Sequence, residues 1–242
     1  MSLDQLAAIE IGIIWTHRGR PYSEHTLDAF EQSWKAGIKH FEIDIRKTKD
    51  GTVVLTHDAD IKRATGENLK IANLTFAQLQ SYPIDGLHPW LDLESFLANF
   101  PAATISIDFK SDDVVDSGIR ILNNFQKMNI IIGSFSQKRT FKLRHELPWC
   151  KSALTQFEVA QLIMGIQPQS ITHQSCLAMV PIKQYGIKIL TAKFIESCKK
   201  YGIPIHVWVV NSTSEMLNLF EMGVSGVVTD FQTILIDPLN LK

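Results

Sequence analysis

The chain has 242 residues, 45% of them hydrophobic, which is enough for one large core and close to the length of a single α/β barrel. Twenty-four basic residues against 25 acidic ones leave a formal charge of −1, so bulk charge attracts neither nucleic acid nor an anionic membrane, and an anionic substrate must be captured locally. The three cysteines, Cys150, Cys176 and Cys198, lack metal-type spacing and predict buried thiols rather than a disulfide framework.

In chain order, the run from Leu6 to Trp15 is interrupted by Glu10 and lacks a basic flank. It predicts a first strand at 12–16 rather than a signal peptide. No other stretch approaches the roughly 18 apolar residues of a membrane span. We therefore expect no integral membrane segment and a cytoplasmic protein. Short β-rich runs follow at 41–45, 104–109, 130–135, 151–154, 177–182, 205–210 and 226–229, alternating with amphipathic helices such as 26–36, 114–127 and 213–221. Eight βα units imply a TIM (β/α)₈ barrel, with residues 1–242 as one domain. One connection breaks the rhythm, because about 58 residues separate the second strand from the third. Lys49-Asp50-Gly51-Thr52 is a turn signal ahead of an extra strand at 53–55. Residues 58–100 then read as a small inserted subdomain with short helices at 75–80 and 93–99.

A barrel strand should be apolar on both faces, one meeting the helices and one the interior. Two strands depart from this. In the second, Phe41, Ile43 and Ile45 take one face and leave Glu42 and Asp44 together on the other. In the third, Ile105, Ile107 and Phe109 point outward while Asp108 and Lys110 point inward. Three carboxylates sharing one low-dielectric space repel unless a cation joins them. With oxygen donors only, that implies one divalent metal, Mg²⁺ or Ca²⁺, at Glu42, Asp44 and Asp108.

Of eight histidines, His17 and His57 stand out, because they end the first and the extra strand, at the rim where barrels place chemistry. Two imidazoles there suit an acid–base pair, with Arg18 and Lys110 to neutralise phosphate oxygens. His17-Arg18 is followed by Gly19, which would let backbone approach a ligand. His40, His145 and His173 read as surface residues, His88 as a loop residue and His206 as a satisfied interior histidine. His25 reads as a surface or substrate-facing loop residue.

Several of these pieces recur in order: His17-Arg18-Gly19, Ser23-Glu24-His25-Thr26, Phe41-Glu42-Ile43-Asp44-Ile45, Thr48-Lys49-Asp50-Gly51 and Leu55-Thr56-His57-Asp58. Ser106-Ile107-Asp108-Phe109-Lys110, Ser134-Phe135, Trp208-Val209-Val210-Asn211 and Gly226-Val227-Val228-Thr229-Asp230 complete the series. The chain resembles the glycerophosphodiester phosphodiesterase family over nearly its whole length. The resemblance implies metal-dependent hydrolysis of a small glycerophosphodiester to glycerol 3-phosphate and an alcohol. It implies that His17 and His57 are the catalytic pair, and that Glu42, Asp44 and Asp108 bind the metal. It further assigns Arg18 and Lys110 to the phosphate, and Glu24, Phe135 and Trp208 to the substrate pocket. His25 stands where asparagine is common, Asp108 where glutamate is usual, and Ala64 where a threonine follows Arg63. The alternatives are an enzyme that acts like a phospholipase D or lyase on lysophospholipids, and an inactive barrel that binds glycerophosphodiesters as a regulator.

Overall fold

The computed structural model describes residues 12–171 and 176–231. Its strands are β1 (Ile13–His17), β2 (His40–Lys47), β3 (Val53–Leu55), β4 (Thr104–Phe109), β5 (Asn129–Gly133), β6 (Lys151–Ala153) and β7 (Cys176–Val180), then β8 (Lys183–Gln184), β9 (Ile187–Lys188), β10 (Ile205–Val207) and β11 (Gly226–Thr229). The helices are α1 (Leu27–Lys35), α2 (Lys62–Thr65), α3 (Phe76–Leu79), α4 (Leu93–Asn99), α5 (Val115–Leu122), α6 (Gln137–Glu146), α7 (Gln156–Met164), α8 (Ala192–Lys200) and α9 (Thr213–Glu221). β1 pairs in parallel with both β11 and β2, which closes β1-β11-β10-β7-β6-β5-β4-β2 into the eight-stranded barrel that the repeated βα pattern predicts. β3 adds antiparallel to the far end of β2, and β8 with β9 forms a separate hairpin. No helix among the described residues is long and apolar enough to cross a membrane.

The predicted alternation is what separates the two cores. Phe41, Ile43 and Ile45 of β2 and Ile105, Ile107 and Phe109 of β4 are fully buried beneath α1, α4 and α5, in a cluster with Phe30, Phe96 and Ile119. Inside the barrel, Trp15, Ile131, Leu177 and Val228 form an apolar layer below the rim. Helix starts follow local chemistry: Thr26, Ser136, Thr155 and Thr191 each accept a hydrogen bond from the third backbone N–H beyond them. α5 stops at Leu122, well before residue 127, because the N–H groups of Asn124 and Phe125 turn back onto Ile121 and Leu122. β5 and β10 likewise end at Gly133 and Val207, which releases Ser134, Phe135 and Trp208 to the rim.

Residues 58–100 divide in the structure. Ile61, Ile71, Leu79, Ile84 and Trp90 make a small core of their own with Val54 of β3, whereas Leu93, Phe96 and Leu97 of α4 pack into the main one. The last stretch is thus the barrel's own helix after β2. Gly19, expected at a ligand, has φ +84° and faces Ala29 of α1, where a Cβ would lie 2.8 Å from the alanine methyl. It serves the turn and the helix contact.

His145 is exposed as expected, and His173 lies outside the described residues. His40 is half-buried rather than fully at the surface, packing edge-on against Trp15 with centroids 5.0 Å apart where β2 pairs with β1. His206 is the satisfied interior histidine predicted, its Nδ1 accepting from Trp15 Nε1 at 2.8 Å. Burial pushes His206 down to about 4. Between that value and the ordinary ~6.5 of an unfolded imidazole, the unfolded chain binds more protons. Stability therefore falls as pH drops through this window, by up to about 3 kcal/mol. Urea unfolding of wild type and His206→Gln between pH 7 and 4 should show that slope flattened in the variant. Equal slopes would remove His206 from the account.

Candidate active site

Glu42 and Asp44 sit within β2, whose carboxyl end continues into the pairing with β3, and the other candidate side chains come from the carboxyl end of a strand or the loop after it. The β2–β4 register sets Asp44 beside Asp108 and Glu42 beside Ser106. β1 places His17 opposite Glu42, with Nε2 3.9 Å from Oε2. The β2–β3 hairpin folds the chain back, Thr56 N–H donates to Asp44 C=O at 2.9 Å, and His57 arrives at the level of the acids. Arg46 Nε fixes this return by donating to His57 C=O at 2.8 Å.

The three acids are buried together. Glu42 Oε2, Asp44 Oδ2 and Asp108 Oδ1 have no hydrogen-bond donor among the described residues. Arg18 Nε lies 2.7 Å from Asp44 Oδ2, but off the direction a hydrogen bond needs, so the contact is electrostatic and leaves both atoms unsatisfied. Lys110 Nζ lies 2.9 Å from Asp108 Oδ2 and 3.1 Å from Asp44 Oδ1. Burial, reinforced by the neighbouring Asp44, pushes Glu42 well above the carboxylate range. Burial raises Asp108 too, against the pull of Lys110. For Asp44 burial acts the same way, but His25, Arg18 and Lys110 outweigh it and hold the group low. Lys110 is raised, because the pull of Asp44 and Asp108 exceeds the burial that opposes it.

As placed, no three acid, thiol or imidazole side chains among the described residues form a complete cage for a metal. The donor chemistry still fits a hard divalent cation. Three buried carboxylate oxygens on residues lining one cavity lack donors, and two of the acids are driven towards the neutral form unless positive charge joins them.

The two histidines share a geometry that sequence reasoning missed. His17 Nδ1 is 2.7 Å from Asp230 Oδ1, and His57 Nδ1 is 2.7 Å from Asp58 Oδ1. Asn211 steadies Asp230, its Nδ2 donating to Oδ2 at 3.0 Å and its Oδ1 accepting from Asp230 N–H. Asp58 could have been suspected from its place after His57. Asp230 directly follows the last strand, a position that marks the rim but not its partner.

Glu24 lies off the cavity wall. Its carboxylate meets Arg18, Arg20 and Arg63, and Arg63 also holds Asp58 through Nε at 2.6 Å. His25 is neither at the surface nor facing substrate. A positive φ of 61° folds it under β2, where Nε2 accepts from Asp44 N–H at 3.2 Å, and burial pushes it down to about 3. Cys150 and Cys198 are buried thiols that burial pushes up to about 12, and Cys176 is buried too. The cavity, of about 340 Å³, is lined at its base by His17, Arg18, Glu42, Asp44, His57, Asp108 and Lys110. Phe135 and Trp208 line it higher up, edge to face with centroids 6.1 Å apart.

A closed parallel barrel with acids, imidazoles and cations gathered at its mouth defines a hydrolase class suited to phosphate esters. The sequence model of the Glycerophosphoryl diester phosphodiesterase family matches residues 17–233, and the chain belongs to that family. A glycerophosphodiester phosphodiesterase of Caldanaerobacter subterraneus is 23% identical, over 93% of this chain and 96% of that protein. The crystal structure of a glycerophosphodiester phosphodiesterase from Thermotoga maritima superposes with TM-score 0.75 at 26% identity, covering 94% of this chain and 98% of the other. That of an Oleispira antarctica phosphodiesterase in complex with the product sn-glycerol-3-phosphate superposes with TM-score 0.76 at 17% identity, covering 95% and 96%.

Proposed function

We propose that this chain hydrolyses a glycerophosphodiester to glycerol 3-phosphate and an alcohol, with His17 and His57 as its acid–base pair. The observation that carries this reading is the pair of imidazoles, each held at Nδ1 by an aspartate, on the wall of the cavity that contains three buried acids. With Nδ1 donating to Asp230 or Asp58, each ring presents Nε2 as the working atom, and the carboxylate steadies the imidazolium when it forms. One Nε2 takes the proton of the attacking glycerol hydroxyl as its oxygen closes on phosphorus. The other protonates the departing alcohol, and water then opens the cyclic phosphate with the roles exchanged. Arg18 and Lys110 offset charge on the non-bridging oxygens. Glu24 acts at one remove, by holding Arg18, and Phe135 with Trp208 wall the substrate.

Glu42, Asp44 and Asp108 would hold one divalent cation, Mg²⁺ or Ca²⁺ by their oxygen-only character. When bound, it supplies positive charge against the phosphate and acidifies the nearby hydroxyl. The part of residues 58–100 that precedes α4 counts as a small inserted subdomain on a single catalytic barrel, tied to the site through Arg63 and Asp58.

The test is release of glycerol 3-phosphate from glycerophosphocholine and glycerophosphoethanolamine with Mg²⁺, Ca²⁺ or EDTA. Turnover should require a divalent ion and drop at least about 100-fold in EDTA. Binding of these diesters without turnover under any metal would sink the hydrolase reading.

A further inference from the structure

A diester has two arms, and the cavity has two unlike sides. The base is polar and charged. The opposite side is built from α7 and the chain around the β8–β9 hairpin: Leu154, Val159, Ile163, Val180, Ile187 and Ile189 face the cavity there. Between residues 153 and 189, none of the cavity-lining side chains among the described residues is charged, and Gln156 and Gln184 supply its only amide groups. Ile187 is 63% exposed and Tyr185 91% exposed, so the hairpin holds out apolar surface beside the opening.

Glycerol carries hydroxyls that require hydrogen-bond partners, which only the base provides in number. With phosphate and glycerol on the acids, histidines and cations, the remaining arm runs along the 153–189 side. A cationic head group finds no carboxylate on that side, and a many-hydroxyl head group finds two amides. The face of Phe135 already looks toward the Lys110 ammonium, 5.6 Å from the ring centroid. An alkyl or aryl body instead gains free energy with each carbon it buries.

We infer that the leaving alcohol of the preferred diester is apolar and that the wall between α7 and the β8–β9 hairpin is its binding subsite. This rests on the hydrolase reading above and narrows its substrate class.

The experiment uses glycerol 3-phosphate methyl, butyl and hexyl esters, glycerophosphocholine, and 1-alkyl-glycerophosphocholine, whose apolar group sits on the glycerol arm. From methyl to hexyl, kcat/KM should climb by about two- to fourfold per methylene. The hexyl ester should exceed both choline esters. Ile187→Asp on the exposed hairpin should abolish the climb, with a loss that grows from the methyl to the hexyl ester, and Ile163→Gln on α7 should act alike. A flat series, or a choline ester preferred to the hexyl ester, overturns the inference. Calorimetric binding of the same series to His17→Ala reads the wall without turnover. Affinity that climbs with chain length while wild type hydrolyses none of the diesters sinks the hydrolase reading alone, whereas flat affinity sinks the subsite.

Discussion

His17→Ala and His57→Ala should each lower kcat by about 10²–10⁴-fold while leaving the fold intact. The size follows from losing a positioned proton donor or acceptor, with charge stabilisation by Arg18 and Lys110 left in place. The intact fold follows from location, since both rings stand at the rim outside the apolar clusters. Asp58→Asn and Asp230→Asn should lose less, about ten- to a hundredfold, because the imidazole remains while its tautomer and orientation loosen. The loss should appear in kcat rather than KM, as neither aspartate lines the cavity. Glycerol 3-phosphate release, with thermal unfolding beside it, checks all four variants. Full activity in either alanine variant would remove that histidine from the mechanism.

How far the site could be read in advance depended on whether each residue carried a local contradiction. Glu42, Asp44 and Asp108 were legible because a charge on a core strand breaks an expected alternation, and β2 and β4 place all three in one space. His17 and His57 were legible because they end strands. Asp230 was not recognised as the partner of His17, since barrel closure joins residues 213 positions apart and no local pattern encodes it. His25 looked like a loop residue among polar neighbours, and only the positive φ reveals that it turns inward. The apolar wall was invisible for a different reason. Val159 and Ile163 recur at helical spacing, and periodicity cannot distinguish a side chain facing a cavity from one facing the core. Glu24 was read as a pocket residue from its motif, whereas its setting depends on Arg18 and Arg20 of its own loop and on Arg63 of α2, far along the chain.

The pair that should matter most for stability lies away from the chemistry. Arg144 of α6 grips Glu158 of α7 through both terminal nitrogens, at 2.6 and 2.9 Å, and also donates to Ser152 Oγ and Ala153 C=O. Glu158 is 1% exposed and also accepts from Thr155 N–H and Ser170 Oγ. It thereby closes the capping box of α7. Burial would raise its pKa, but Arg144, Ser170 and the Thr155 amide hold it below the carboxylate range. Arg144→Ala leaves a buried carboxylate without its counter-charge, which costs about 3–5 kcal/mol and lowers Tm by roughly 10 °C. The sign with pH separates lost charge from lost packing. In wild type the contribution is present above the unfolded carboxylate value and is lost as pH falls through the depressed one. In the variant burial dominates, Glu158 takes up a proton in the folded state, and the deficit shrinks as pH is lowered from 7 towards 5. Urea unfolding at the two pH values checks this, with Arg144→Met/Glu158→Leu as the companion expected to regain most of the loss because it removes both charges and keeps volume. A deficit independent of pH, or one the double variant does not relieve, would mean that Arg144 acts through packing of its stem between α6 and α7 and not through its charge.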